Sequence, residues 1–108
     1  MKRQRSTLSA FVLALVVAAS QAVAADKPHN VVPPNGYVPN EETAIRIALA
    51  VWEPIYGASQ IAEQKPYRAR LERGVWIVEG TSHAEMGGVA IAEIAKADGR
   101  VLRVSHGR

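Results

Sequence analysis

Between Ile55 and Tyr67 the spacing of apolar residues changes from helical to alternating, which calls for one helix followed by a sheet. At 100° per residue, Ala44, Ile45, Ile47, Ala48, Val51, Trp52 and Ile55 fill an arc of about 180°. Glu42, Arg46 and Glu53 lie opposite, and Leu49 sits on the polar edge. So wide an apolar arc predicts a helix partly wrapped by its partner sheet. Asn40 is a good N-cap, and Glu41 and Glu42 occupy the first turn, where the helix dipole favours negative charge. Pro54 disfavours helical geometry at Glu53, and Gly57 is a stop signal. The helix is therefore predicted over Glu41–Glu53, with a kinked continuation to Tyr56.

Ser59 to Lys65 has room for one short helical turn before Pro66. Tyr67, Ala69 and Leu71 then alternate with Arg68, Arg70 and Glu72, the pattern of a strand with one solvated face. Arg73-Gly74 is a tight hairpin connection, and Val75 to Thr81 follows as a second strand with Trp76 and Val78 on one face. Ser82 to Gly88 is a loop, Val89 to Lys96 a third strand, Asp98-Gly99 a turn and Val101 to Ser105 a fourth strand. The expected class is α+β: one main helix on a curved four-stranded antiparallel sheet of two hairpins, a reduced cone-like fold. Its expected core is Ile45, Ala48, Trp52, Leu71, Trp76, Val78, Ile91, Ile94, Leu102 and Val104. Gly80 is expected to accommodate a bulge or close packing against Trp76.

The first 24 residues read as a cleavable secretory signal. Lys2, Arg3 and Arg5 form a basic head, Leu8 to Ala19 is apolar apart from Ser9, and Ala22-Val23-Ala24 is a small-x-small cleavage site. The apolar run is shorter than the roughly 20 residues of a spanning helix, so no membrane attachment is expected after cleavage. The destination is periplasmic or secreted. Removing the signal takes three of the 13 basic residues and leaves ten against ten acidic ones. The mature chain is thus neutral and has no electrostatic footprint for nucleic acid. Ala25 to Pro39 holds four prolines and reads as a leader or extended arm, with Asn35-Gly36 as a turn and Tyr37 and Val38 against the domain edge. Residues 40–108 form the domain. Cysteine is absent, which removes disulfides, thiolate metal sites and a cysteine nucleophile.

Few residues invite chemistry. His83 and Glu85 form an H-x-E in the loop, but a zinc deaminase also needs paired cysteines. Metal binding by His83, Glu85 and His106 would need three groups converging at about 2.0–2.2 Å, which the spacing does not demand. Glu79 and Glu93 are acidic residues within predicted strands; either turned into an apolar pocket would suit acid/base catalysis. No nucleophile elbow or phosphate-cradling loop is present. Trp52 and Trp76 belong to the core, while Tyr56 and Tyr67 flank the connection from helix to sheet and either frame a pocket or cover its edge.

An ordered set of short signatures runs through the chain. It comprises Gly36-x-Val38, Glu42-x-Ala44-Ile45, Ile55-Tyr56-Gly57, Lys65-Pro66-Tyr67 and Gly74-x-Trp76-x-Val78-x-Gly80-Thr81. Gly87-Gly88, Lys96-x-Asp98-Gly99-x-Val101-Leu102 and His106-Gly107 complete it. From Pro34 to Arg108 the chain resembles the small immunity proteins with a nuclear-transport-factor-2-like fold associated with bacterial polymorphic toxin systems. That resemblance implies a non-enzymatic protein that binds and neutralises a cognate toxin, with no cofactor and no reaction. The candidate partner-binding residues are Tyr56, Tyr67, His83, Glu85 and His106. The alternatives are an exported peptide- or ligand-binding inhibitory module, since the last hairpin is similar to small extracytoplasmic modules coupled to peptidases, and a small isomerase-like enzyme of the same broad fold.

Overall fold

The computed structural model describes residues 29–83 and 87–107. The signal segment, its cleavage site and Glu85 lie outside the described residues. The unit that carries the fold begins at Val32. Its elements are α1 (Glu41–Tyr56), α2 (Ala58–Ala62), β1 (Arg68–Glu72), β2 (Val75–Glu79), β3 (Val89–Ala95) and β4 (Val101–Gly107). The four strands form one antiparallel sheet in the order β1-β2-β3-β4, with α1 packed across β1, β2 and β3. The class is α+β, as the change of period requires.

α1 begins where Asn40 Oδ1 accepts the Thr43 N–H at 2.9 Å and the Thr43 hydroxyl at 2.8 Å. It continues through Pro54 to Tyr56. Pro54 forfeits one helical bond, yet the Gly57 N–H still donates to the Glu53 carbonyl at 2.8 Å and closes the helix. Ala44, Ala48 and Trp52 are fully buried, with Ile45, Ile47, Leu49 and Tyr56 packed around them. Small alanines on the first two turns let the helix approach the sheet, and Trp52 fills the space beyond.

The sheet separates its residues cleanly. Ala69, Val78, Ala92 and Val104 form one row on the helix side; Leu71, Trp76, Ile94 and Val101 form the next. Arg68, Glu79, Ile91 and Ser105 lie on the opposite side, beside Arg70, Ile77, Glu93 and Arg103. Arg73 and Gly74, both at positive φ, make the two-residue turn whose twist suits a hairpin.

Three expected core positions are corrected. Leu71 is 45% exposed because it lies on edge strand β1. Leu102 is 43% exposed and has no partner of its own in β3: Glu93 faces Arg103 while Ile94 faces Val101, a bulge that breaks the alternation. Ile91 shares a face with Glu79 and Ser105, away from the helix. Ile55, on the edge of the expected arc, is 56% exposed.

Val38 enters the core fully buried. Its N–H donates to the Lys96 carbonyl at 3.1 Å, the Tyr37 N–H to Ala97 at 3.0 Å, and Val38's own carbonyl accepts the Trp76 indole at 2.8 Å. Trp76 is thus buried with its polar tip satisfied, whereas the Trp52 indole nitrogen is buried with no partner among the described residues.

Candidate functional site

Of the candidate residues, Tyr56, Tyr67, His83 and His106 lie around the end of the sheet where α1 finishes. α2 is anchored there by Ile61, which is fully buried. The segment after it, Gln64-Lys65-Pro66, is stapled to the loop that leaves β2. The Thr81 N–H donates to the Gln64 carbonyl at 2.7 Å, His83 Nε2 lies 2.6 Å from the Lys65 carbonyl, and the Thr81 hydroxyl donates to the Pro66 carbonyl at 2.5 Å. Three consecutive carbonyls are therefore capped by two loop residues. A carbonyl can only accept, so His83 carries its proton on Nε2, and in the neutral ring Nδ1 remains the acceptor.

Gln64 is the residue that sequence reasoning missed. Its side-chain carbonyl accepts the Ala90 N–H at 2.8 Å, while the Gly80 N–H donates to the Ala90 carbonyl at 3.1 Å. Gly80 is glycine because a Cβ there would collide with the Gln64 side chain, not because of Trp76 as expected. In the sequence that space shows only as a lone glycine within β-rich residues, and nothing local names its occupant.

These bonds frame a cleft of about 280 Å³ lined by Gln60, Glu63, Gln64, Thr81, Ser82, His83 and the Gly87-Gly88 pair. His106 adjoins it: a Cβ on Gly88 would lie 3.4 Å from the His106 ring and 2.6 Å from the Gly107 carbonyl. The His106 ring is in turn 5.8 Å from Tyr56, tilted by 44°. Tyr56, His83 and His106 therefore border one end of the molecule.

Tyr67 belongs to the same end but is turned to another task. Its hydroxyl donates to the Ile61 carbonyl at 2.8 Å and its ring lies 6.1 Å from Trp52. Burial, with the Glu53 charge adding to it, raises its pKa above the ordinary tyrosine value. Tyr67 thus ties α2 to the core.

Glu79 and Glu93 both lie on the outer sheet face, where Glu79 pairs with Arg70 at 3.1 Å and Arg68 at 3.9 Å, and Glu93 with Arg103 at 3.4 Å. Both are ion-paired and neither is buried, so the raised-pKa carboxylate that the acid/base role weighed for them requires is not seen there. A larger concavity of about 680 Å³ lies on that outer face beside Glu72, Arg73, Val75, Ile77 and Glu93. Its two carboxylates are engaged, Glu72 with Arg70 and Glu93 with Arg103; the candidate site is the cleft, where donors and acceptors converge on loop residues. Among the described residues, no histidine or acidic cluster could hold a metal ion, and no helix is long and apolar enough to cross a membrane.

The sequence model of the NTF2 fold immunity protein family matches residues 43–108. The chain is also 40% identical over 73 residues to the uncharacterized protein YhhH of Escherichia coli K12, an alignment covering 66% of this chain and 58% of that protein. The chain therefore spans a little over half the length of this relative. No solved structure matches it.

Proposed function

The chain belongs to the NTF2 fold immunity protein family, and from that premise we propose that it is an exported protein that binds and neutralises a cognate bacterial toxin. The observation that carries the reading is the family match, which takes in nearly all of α1 and every later element. Docking is assigned to the end bordered by Tyr56, His83 and His106. Its exposed imidazoles and loop amides offer adaptable hydrogen bonds, and the half-buried Tyr56 offers an aromatic anchor. Export rests on the basic head, apolar run and Ala22-Val23-Ala24 of the first 24 residues.

Affinity capture of the exported protein from an envelope extract identifies the partner, and co-expression with that partner measures protection. His83→Ala combined with His106→Ala is expected to weaken protection at least tenfold while the melting midpoint stays within a few degrees. Chelators should have no effect, and N-terminal sequencing should begin at Ala25. Undiminished protection by the double variant would remove the site; turnover of a small substrate by the purified protein would remove the function.

A further inference from the structure

The sheet ends in two edges of different character. β1 is five residues long and follows Pro66, and its outward charges are tied down: Arg70 pairs with Glu72 at 2.7 Å and with Glu79 at 3.1 Å. Charged residues on a short strand are a common guard against further pairing. β4 is seven residues long and lies last in the sheet order, so among the described residues its outer edge has no neighbouring strand. Beside it, Val101 is 39% and Leu102 43% exposed, while Val104 is half-buried. α1 covers β1 to β3 and meets β4 where Tyr56 touches His106, so the helix-side face of β4 is only partly roofed.

We propose that the β4 edge takes up an extended segment of a partner protein as a fifth strand, one that alternates apolar and acidic residues. The bulge at Leu102 confines regular pairing to Arg103–Gly107. Within that stretch side chains alternate between faces. A partner's apolar residues would meet Val104 on the helix side, and one running on past the bulge would meet the exposed Val101. Its acidic residues would meet Arg103 on the outer side, where the guanidinium spends one nitrogen on Glu93 and its side chain remains 62% exposed. Charge also decides against a second copy of this chain. β4 and its flanks carry Arg100, Arg103, His106 and Arg108 with no acidic residue between them, and antiparallel self-pairing would set like charges against one another. Main-chain bonds would supply affinity and the alternating side chains selectivity. This inference goes beyond the immunity reading, because the edge can be filled whatever the partner's activity.

The test uses the isotope-labelled chain and two capped heptapeptides, one alternating valine with glutamate and one alternating valine with lysine. The glutamate peptide should bind at least tenfold more tightly, shift the amides of residues 103–107 and protect them from hydrogen exchange. Arg103→Glu should reverse the preference, and Arg103→Gln should abolish it should the charge reversal unfold the protein. Equal binding of both peptides, binding of neither, or shifts centred away from β4 would overturn the proposal. So would an edge already protected in the free protein, or a dimer by sedimentation that Arg103→Glu dissociates.

Discussion

Val38→Ala tests whether the proline-rich arm is an appendage or part of the fold. The side chain is fully buried, and its backbone is tied to Lys96 and Trp76 by bonds that the substitution leaves untouched. The change therefore isolates packing. Two methyl groups lose their burial at about 0.8 kcal/mol each, and a void of about 40 Å³ adds about 1 kcal/mol if the walls do not close in. The expected loss is about 2–3 kcal/mol, a large part of the roughly 4–12 kcal/mol that a domain of this size holds. At about 4–8 °C per kcal/mol for a small domain, the melting midpoint should fall by roughly 8–24 °C. Circular dichroism melts and urea titrations of the mature chain measure this, with the urea slope unchanged if the native state is otherwise intact. A midpoint within 2 °C of the parent would refute the reasoning and return Val38 to the surface. Trp76→Phe serves as a second probe: it keeps an aromatic side chain but, besides the smaller ring, strands the Val38 carbonyl at a cost of about 1–3 kcal/mol.

Two further outcomes follow from the site. Gln64→Ala removes the acceptor for the Ala90 N–H and should cost about 1–3 kcal/mol; faster exchange of the Ala90 amide would show that the loss is local, and an unchanged rate would mean that Gln64 is not the clamp. Tyr67 has a folded-state pKa above its unfolded value, so the unfolded chain releases the phenolic proton first. Its contribution is intact below about pH 10 and is lost as pH rises through the folded pKa. Tyr67→Phe should flatten that alkaline loss in pH-dependent urea titrations and cost about 1 kcal/mol at neutral pH by freeing the Ile61 carbonyl; an equally steep alkaline loss in the variant would assign the effect elsewhere.

The sequence by itself determined the elements and their order, because periodicity, caps and turn residues act within a few positions of one another. Asn40 starts α1, Arg73-Gly74 turns β1 into β2, and the alternation about Trp76 and Val78 names the buried face of β2. The loop histidine, the C-terminal histidine and Tyr56 could likewise be picked out as polar or amphipathic residues beside structural breaks. What an apolar residue packs against is not a local property. Leu71 and Leu102 carry the pattern of core residues, but Leu71 lies on an edge strand with no strand beyond it among the described residues, and the bulge at Leu102 shifts the parity so that Val101 and Val104 share the helix side. Val38 sits among prolines, and the sequence takes it no further than the domain edge; Lys96 and Trp76, distant in sequence, bring it into the core. The Gln64 clamp and the meeting of Tyr56 with His106 likewise join residues 26 and 50 positions apart. Tertiary structure decided these features because each depends on where the ends of separate elements meet, and no short stretch of sequence encodes that distance.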